Sequence, residues 1–166
     1  MKRKRESNVN NFDTKKIVLL GDSCIGKSTL FNKIKNLNNN NYTFPKKYKA
    51  TENFDFERIN INTNLGNINI DLWDTAGQEN YGGKLRDAYL KGADGVLLLY
   101  DMTSDNSKTN ISKWMDQIKK NCNNPIISVL ANKYDKIDNF DESLILSNNH
   151  LQKLYGSRNI KHFTIS

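Results

Sequence analysis

A chain of 166 residues with 25 basic and 18 acidic side chains, a net charge of +7, suits one domain that buries roughly 70% of its unfolded surface. No apolar run approaches the roughly 18 residues of a membrane span, and the first residues lack the apolar centre of a secretory signal; the expectation is a soluble, intracellular protein with no membrane anchor. Two cysteines, Cys24 and Cys122, offer no disulfide framework and suit a reducing compartment.

Residues 1–13 read as a polar, disordered basic arm, because Lys2, Arg3, Lys4 and Arg5 crowd four cations into its first five positions. Such a run is compatible with nuclear targeting or with a weak nucleic-acid contact. From there apolar runs and helical patterns alternate, which predicts an α/β domain over residues 14–166. Strands are predicted at 15–20, 54–61, 67–73, 95–101, 126–131 and 160–165. A turn around Asn64-Leu65-Gly66 makes the second and third a hairpin, and the rest of the six-stranded sheet is expected to be parallel, with flanking helices. Leu30, Phe31, Ile34 and Leu37 share one helical face, and Ile111, Trp114, Met115, Ile118 and Cys122 form a second stripe; both are expected to be core. Trp73 ends a strand, and neither His150 nor His162 has a partner at metal-ligand spacing, so both are read as structural or surface residues. The Asn-rich loop over 36–53 is long for a plain connection and predicts a lid or switch.

The most specific chemistry lies at 21–28, Gly-Asp-Ser-Cys-Ile-Gly-Lys-Ser, between the apolar run 17–20 and a helical stretch from Ser28. This is a phosphate-binding loop in its required strand-to-helix context. Gly21 and Gly26 let the backbone curl so that N–H groups point at the phosphates, and the following helix adds the positive end of its dipole. Gly21, Asp22, Ser23, Cys24, Ile25, Gly26, Lys27, Ser28 and Thr29 are the candidate phosphate contacts. Lys27 would reach the β- and γ-phosphates, and the Ser28 hydroxyl would ligate Mg²⁺.

Asp74-Thr75-Ala76-Gly77-Gln78 and Asn132-Lys133-Tyr134-Asp135 each follow a predicted strand, at the edge where parallel sheets bind ligands. Asp74 is a candidate for the Mg²⁺ shell, Gly77 offers a backbone N–H to the γ-phosphate, and Gln78 supplies an amide able to orient an attacking water. An ionised Asp135 only accepts, whereas guanine presents two donors on its Watson–Crick edge and adenine does not, so the nucleotide expected is GTP or GDP. Lys133 can lay its stem along one face of the base.

With these motifs the chain resembles the Ras-like small GTPases, a P-loop fold, from about Thr14 to Ser166. Within that superfamily residues 46–51 (Lys-Lys-Tyr-Lys-Ala-Thr) and 78–89 are similar to the two switches of the Ran family. The resemblance implies that Thr51 closes onto Mg²⁺ and the γ-phosphate, that Phe44 stacks on the base, and that Gln78 and Lys27 are catalytic. It further implies partners: nuclear transport receptors, an exchange factor and a GTPase-activating protein, with a place in both nucleus and cytoplasm. No direct binding of nucleic acid is expected, because the cations outside the arm are scattered without interleaved aromatics.

Several positions depart from the Ran pattern. Ser23 and Cys24 replace glycines, as in Rab loops; Lys84 is an extra residue in the second switch; and Glu52-Asn53 puts polar groups after Thr51. Thr164-Ile165-Ser166 resembles the start of the Ser-Ala-Lys base loop, so that the final helix is expected to be missing. The expected activity is slow, Mg²⁺-dependent GTP hydrolysis, accelerated by an activating partner because no arginine finger is evident in the chain. The alternatives are a Rab-like trafficking GTPase, against which stands the lack of a C-terminal cysteine, and a guanine-nucleotide-binding module without turnover.

Overall fold

The computed structural model describes residues 13–37, 39, 41–43, 51, 54–75, 83–141, 145–155 and 160–166. Its elements are β1 (Thr14–Leu20), α1 (Lys27–Lys35), β2 (Phe54–Thr63), β3 (Gly66–Thr75), α2 (Gly83–Leu90), β4 (Gly95–Asp101), α3 (Asp105–Asn121), β5 (Ile126–Asn132), α4 (Asn148–Tyr155) and β6 (Lys161–Thr164). All six strands form one sheet in the order β2-β3-β1-β4-β5-β6, with only the β2–β3 pair antiparallel.

The strands exist because both sheet faces are covered. Val18 and Leu20 join Leu98, Tyr100 and Val129 beneath α2, α3 and α4, while Leu19 joins Leu72, Leu99 and Phe31 of α1 on the opposite face. Alternate residues of one strand therefore belong to two cores, as a period of two requires. The α3 stripe lies in the first core, with Ile111, Trp114, Met115 and Ile118 all buried. Cys122 is the half-buried C-cap of that helix, and its thiol donates to the Leu90 carbonyl at 3.2 Å.

One expected core position fails. Leu37 is 61% exposed, because α1 ends at Lys35 and Asn36 takes the C-cap, so the chain leaves the helical path before Leu37 would complete the stripe. The hairpin is longer than its apolar pattern predicts, with polar pairs such as Asn60↔Asn69 and Asn62↔Asn67 extending the ladder to Thr63↔Gly66. Thr63 closes it: its hydroxyl donates to the Gly66 carbonyl at 2.7 Å and accepts from Leu65 N–H at 3.2 Å. Trp73 is clustered with Phe54, Phe56 and Tyr89 at centroid distances of 5.1–6.1 Å, which binds β2, β3 and α2 together. His162 stacks on Tyr100 with its Nε2 3.2 Å from the phenol oxygen, a structural contact.

Among the described residues no helix is long and apolar enough to cross a membrane. The basic arm expected over 1–13 lies outside the described residues except for Asp13. Because β1, β3, β4, β5 and β6 run in one direction, the loops that follow them meet at one edge. The chain leaves β1 toward β3 through α1 on one face and reaches β4, on β1's other side, through α2 on the other face. This reversal opens a crevice at the C-terminal end of β1, the position at which open α/β sheets bind ligands.

Candidate functional site

The loop in that crevice is shaped by two glycines. At φ 137° Gly21 packs so closely that a Cβ would collide with the Leu99 carbonyl oxygen and with Ile25 Cδ1. At φ 99° Gly26 is equally constrained, since a Cβ would strike the Asn132 amide. Cys24, exposed, holds the left-handed conformation at φ 59°, and Ser23 is exposed beside it. No side chain caps the start of α1 at Gly26, so that among the described residues the first-turn N–H groups, at Lys27, Ser28 and Thr29, have no side-chain acceptor. A helix start in this state is suited to an anion.

Lys27 lies across the loop, 5% exposed, its Nζ donating to the carbonyls of Gly21, at 3.0 Å, and Asp22. Burial lowers its ammonium to about 8, against the pull of Asp74 and Asp22, so the cation is poorly compensated and ready for an incoming phosphate.

Three oxygens meet beside it. Ser28 Oγ and Thr51 Oγ1 are 2.9 Å apart, and Thr51 Oγ1 donates to Asp74 Oδ2 at 3.4 Å. Asp74 is fully buried, and its Oδ1 has no hydrogen-bond partner among the described residues. Burial pushes its carboxyl up, only partly opposed by Ser28, Lys27 and Thr51. Its place is set by Thr75, whose hydroxyl donates to the Leu19 carbonyl at 2.8 Å and ties the end of β3 to β1. A buried, orphaned carboxylate oxygen beside two hydroxyls is a donor set for a hard divalent cation, and it fits Mg²⁺.

The third part follows β5. Asn132 Nδ2 donates to the Ile25 carbonyl at 2.7 Å, bracing the phosphate loop, and the Asn132 backbone carbonyl accepts from Met102 N–H at 3.0 Å. Lys133 takes the left-handed conformation at φ 66°, with Nζ 2.6 Å from Asp101 Oδ2. Asp135 lies in the 3-10 turn Tyr134–Lys136 with its carboxylate in solvent, open to a ligand. The segment 164–166 runs alongside, because Ile165 N–H donates to Ala131 at 2.8 Å and Tyr134 N–H donates to Ile165 at 3.2 Å.

Two features of this site escape sequence reasoning. Asp101, the partner of Lys133, ends β4, and Asp74 is the penultimate residue of β3; an acid at the C-terminal end of a strand is the signal that would have found it. Asp22, expected to contact phosphate, has its side chain held by Asn110 and Trp114 of α3. Phe44, Gly77 and Gln78 lie outside the described residues, as do residues 46–50 and 78–82 of the two Ran-like switch stretches.

A glycine-hinged loop between β1 and α1, a lysine and serine at the helix start, and a buried carboxylate at the end of the neighbouring strand define a P-loop nucleotide-binding domain. Residues 16–166 match the family model described as the Ras family. The chain therefore belongs to the Ras family, the small GTPases that act as guanine-nucleotide switches.

Proposed function

We propose that this protein is a Ran-like switch, cycling between GTP and GDP states in nucleocytoplasmic transport. The observation that carries the switch is the Ser28–Thr51 contact, which joins the helix of the phosphate site to the segment leading into β2. Loss of the γ-phosphate would weaken the hold on Thr51 and release that segment. The Ran assignment rests on the switch-like stretches at 46–51 and 78–89.

In the GTP state Gly21 to Thr29 would wrap the phosphates, with Lys27 exchanging its carbonyl partners for phosphate oxygens. Ser28, Thr51 and Asp74 would hold Mg²⁺, which would supply positive charge against the charge that develops on the phosphate oxygens. Gln78 orients a water for in-line attack on the γ-phosphorus; the bond to the β–γ bridging oxygen breaks, and GDP and inorganic phosphate leave. Asp135 accepts from guanine N1–H and the 2-amino group, and Lys133 and Phe44 cover the faces of the base. Hydrolysis is slow without an activating partner, and an exchange factor reloads the site. Residues 2–5 favour nuclear accumulation, with the protein moving between nucleus and cytoplasm.

A Rab-like trafficking role is the second reading, favoured by Ser23 and Cys24 in the phosphate loop. Retention of nuclear transport receptors by GTP-loaded but not GDP-loaded protein is the deciding measurement. Equal retention in both states would overturn the Ran-like reading. Single-turnover hydrolysis tests the chemistry: Gln78→Leu should slow it while leaving GTP affinity within about threefold, and an unchanged rate would favour a module that binds without turnover.

A further inference from the structure

Asp22 is divided between two tasks. Its carbonyl accepts from Lys27 Nζ, while its carboxylate is claimed by α3: Oδ1 accepts from Trp114 Nε1 at 2.8 Å and Oδ2 accepts from Asn110 Nδ2 at 3.0 Å. Asn110 and Trp114 are four residues apart on α3, one turn above the other, so their donors point to the same place. Trp114 is 4% exposed, and a buried indole N–H can only donate. An acid inside a phosphate loop carries the sign of its ligand and would repel it unless the carboxylate is held elsewhere.

We propose that Asn110 and Trp114 are positioning residues for the phosphate loop: by holding both oxygens of Asp22 on the α3 side they keep its charge off the phosphates and set how long a nucleotide stays bound. This rests on the reading of the loop as a guanine-nucleotide site. When Lys27 leaves the Asp22 carbonyl for a phosphate, the side-chain clamp still anchors the loop, so the anchor is independent of the ligand.

The experiment uses the full chain loaded with a fluorescent GDP analogue and chased with excess GDP. Trp114→Phe keeps the ring and deletes the N–H, and should speed release about tenfold, the equivalent of one hydrogen bond to a charged group. Asn110→Ala, at a partly exposed position, should speed it about threefold by the weaker loss. The discriminating variant is W114F/D22N: removing the charge that lost its donor should recover most of the parent residence time, which lost packing would not. Release from both single variants at the parent rate overturns the proposal, and so does failure of D22N to restore W114F. A parent protein that retains no guanine nucleotide at all overturns the functional reading and the proposal with it, an outcome distinct from unchanged rates in a binding parent.

Discussion

Lys133 Nζ and Asp101 Oδ2 are 2.6 Å apart, an ion pair that joins the ends of adjacent strands β5 and β4. The other oxygen of Asp101 accepts from Thr103 N–H at 2.9 Å and its hydroxyl at 2.6 Å. Burial pushes the Asp101 carboxyl up, but Lys133 and Thr103 outweigh it and leave the group below its ordinary value. Lys133 is a non-glycine residue at positive φ, and the pair fixes where its stem lies. Asp101→Asn, which keeps the shape and removes the charge, should destabilise the fold by about 1–2 kcal/mol and speed GDP release roughly tenfold. Denaturant titration and a release assay measure the two effects; unchanged release would mean that Lys133 is held in place by something other than Asp101.

Guanine selectivity is predicted to reside in Asp135, whose carboxylate is open at the ligand edge. Asp135→Asn should weaken GTP and improve xanthosine triphosphate, whose 2-carbonyl meets the donor half of the amide. Competition binding with GTP, ATP and xanthosine triphosphate checks this, and equal affinity of the parent for ATP and GTP would contradict it.

Chelation should empty the nucleotide site if the oxygens of Ser28, Thr51 and Asp74 hold a divalent cation. In the parent, excess EDTA is expected to raise GDP release at least about tenfold, through loss of the positive charge that the metal would supply to the phosphates. Ser28→Ala should release quickly at the outset and respond little to EDTA. An EDTA response as large as the parent's would remove Ser28 from the metal shell.

Acid sensitivity is expected from His162. Burial lowers its pKa from the ordinary 6.5, so between that value and the lower folded value the unfolded chain binds the proton and the folded chain does not. Stability therefore falls as pH drops below about 6.5. His162→Asn should flatten this part of the profile. Denaturation midpoints at pH 7.5 and 5.5 provide the check, and an equal acid loss in variant and parent would assign the effect to other groups.

Much of this architecture is legible in the residues themselves. The strands are found because runs such as 17–20, 95–101 and 126–131 are apolar on both faces, as only a strand covered on two sides needs to be. The phosphate loop, Asp74 and the 132–135 motif are found because each couples a special residue type to a strand end. The hairpin's polar extension was not legible, since pairs such as Asn62↔Asn67 have no hydrophobic alternation and gain their order from the ladder begun nearer the core. Leu37 misled for the opposite reason: helical spacing continued in the sequence after the helix had ended.

The sequence by itself determined the class of fold and the edge of the sheet at which the motif-bearing loops gather, because these depend on local periodicity and on short motifs whose members lie within one loop. Only the tertiary structure decided which distant groups complete them. Asp22 meets Trp114 across 92 positions, and Thr75 meets Leu19 across 56. Such contacts arise from the order in which parallel strands are laid beside β1 and from the face on which each helix returns. A side chain's partner across that distance is set by packing geometry, which no local pattern of residues records.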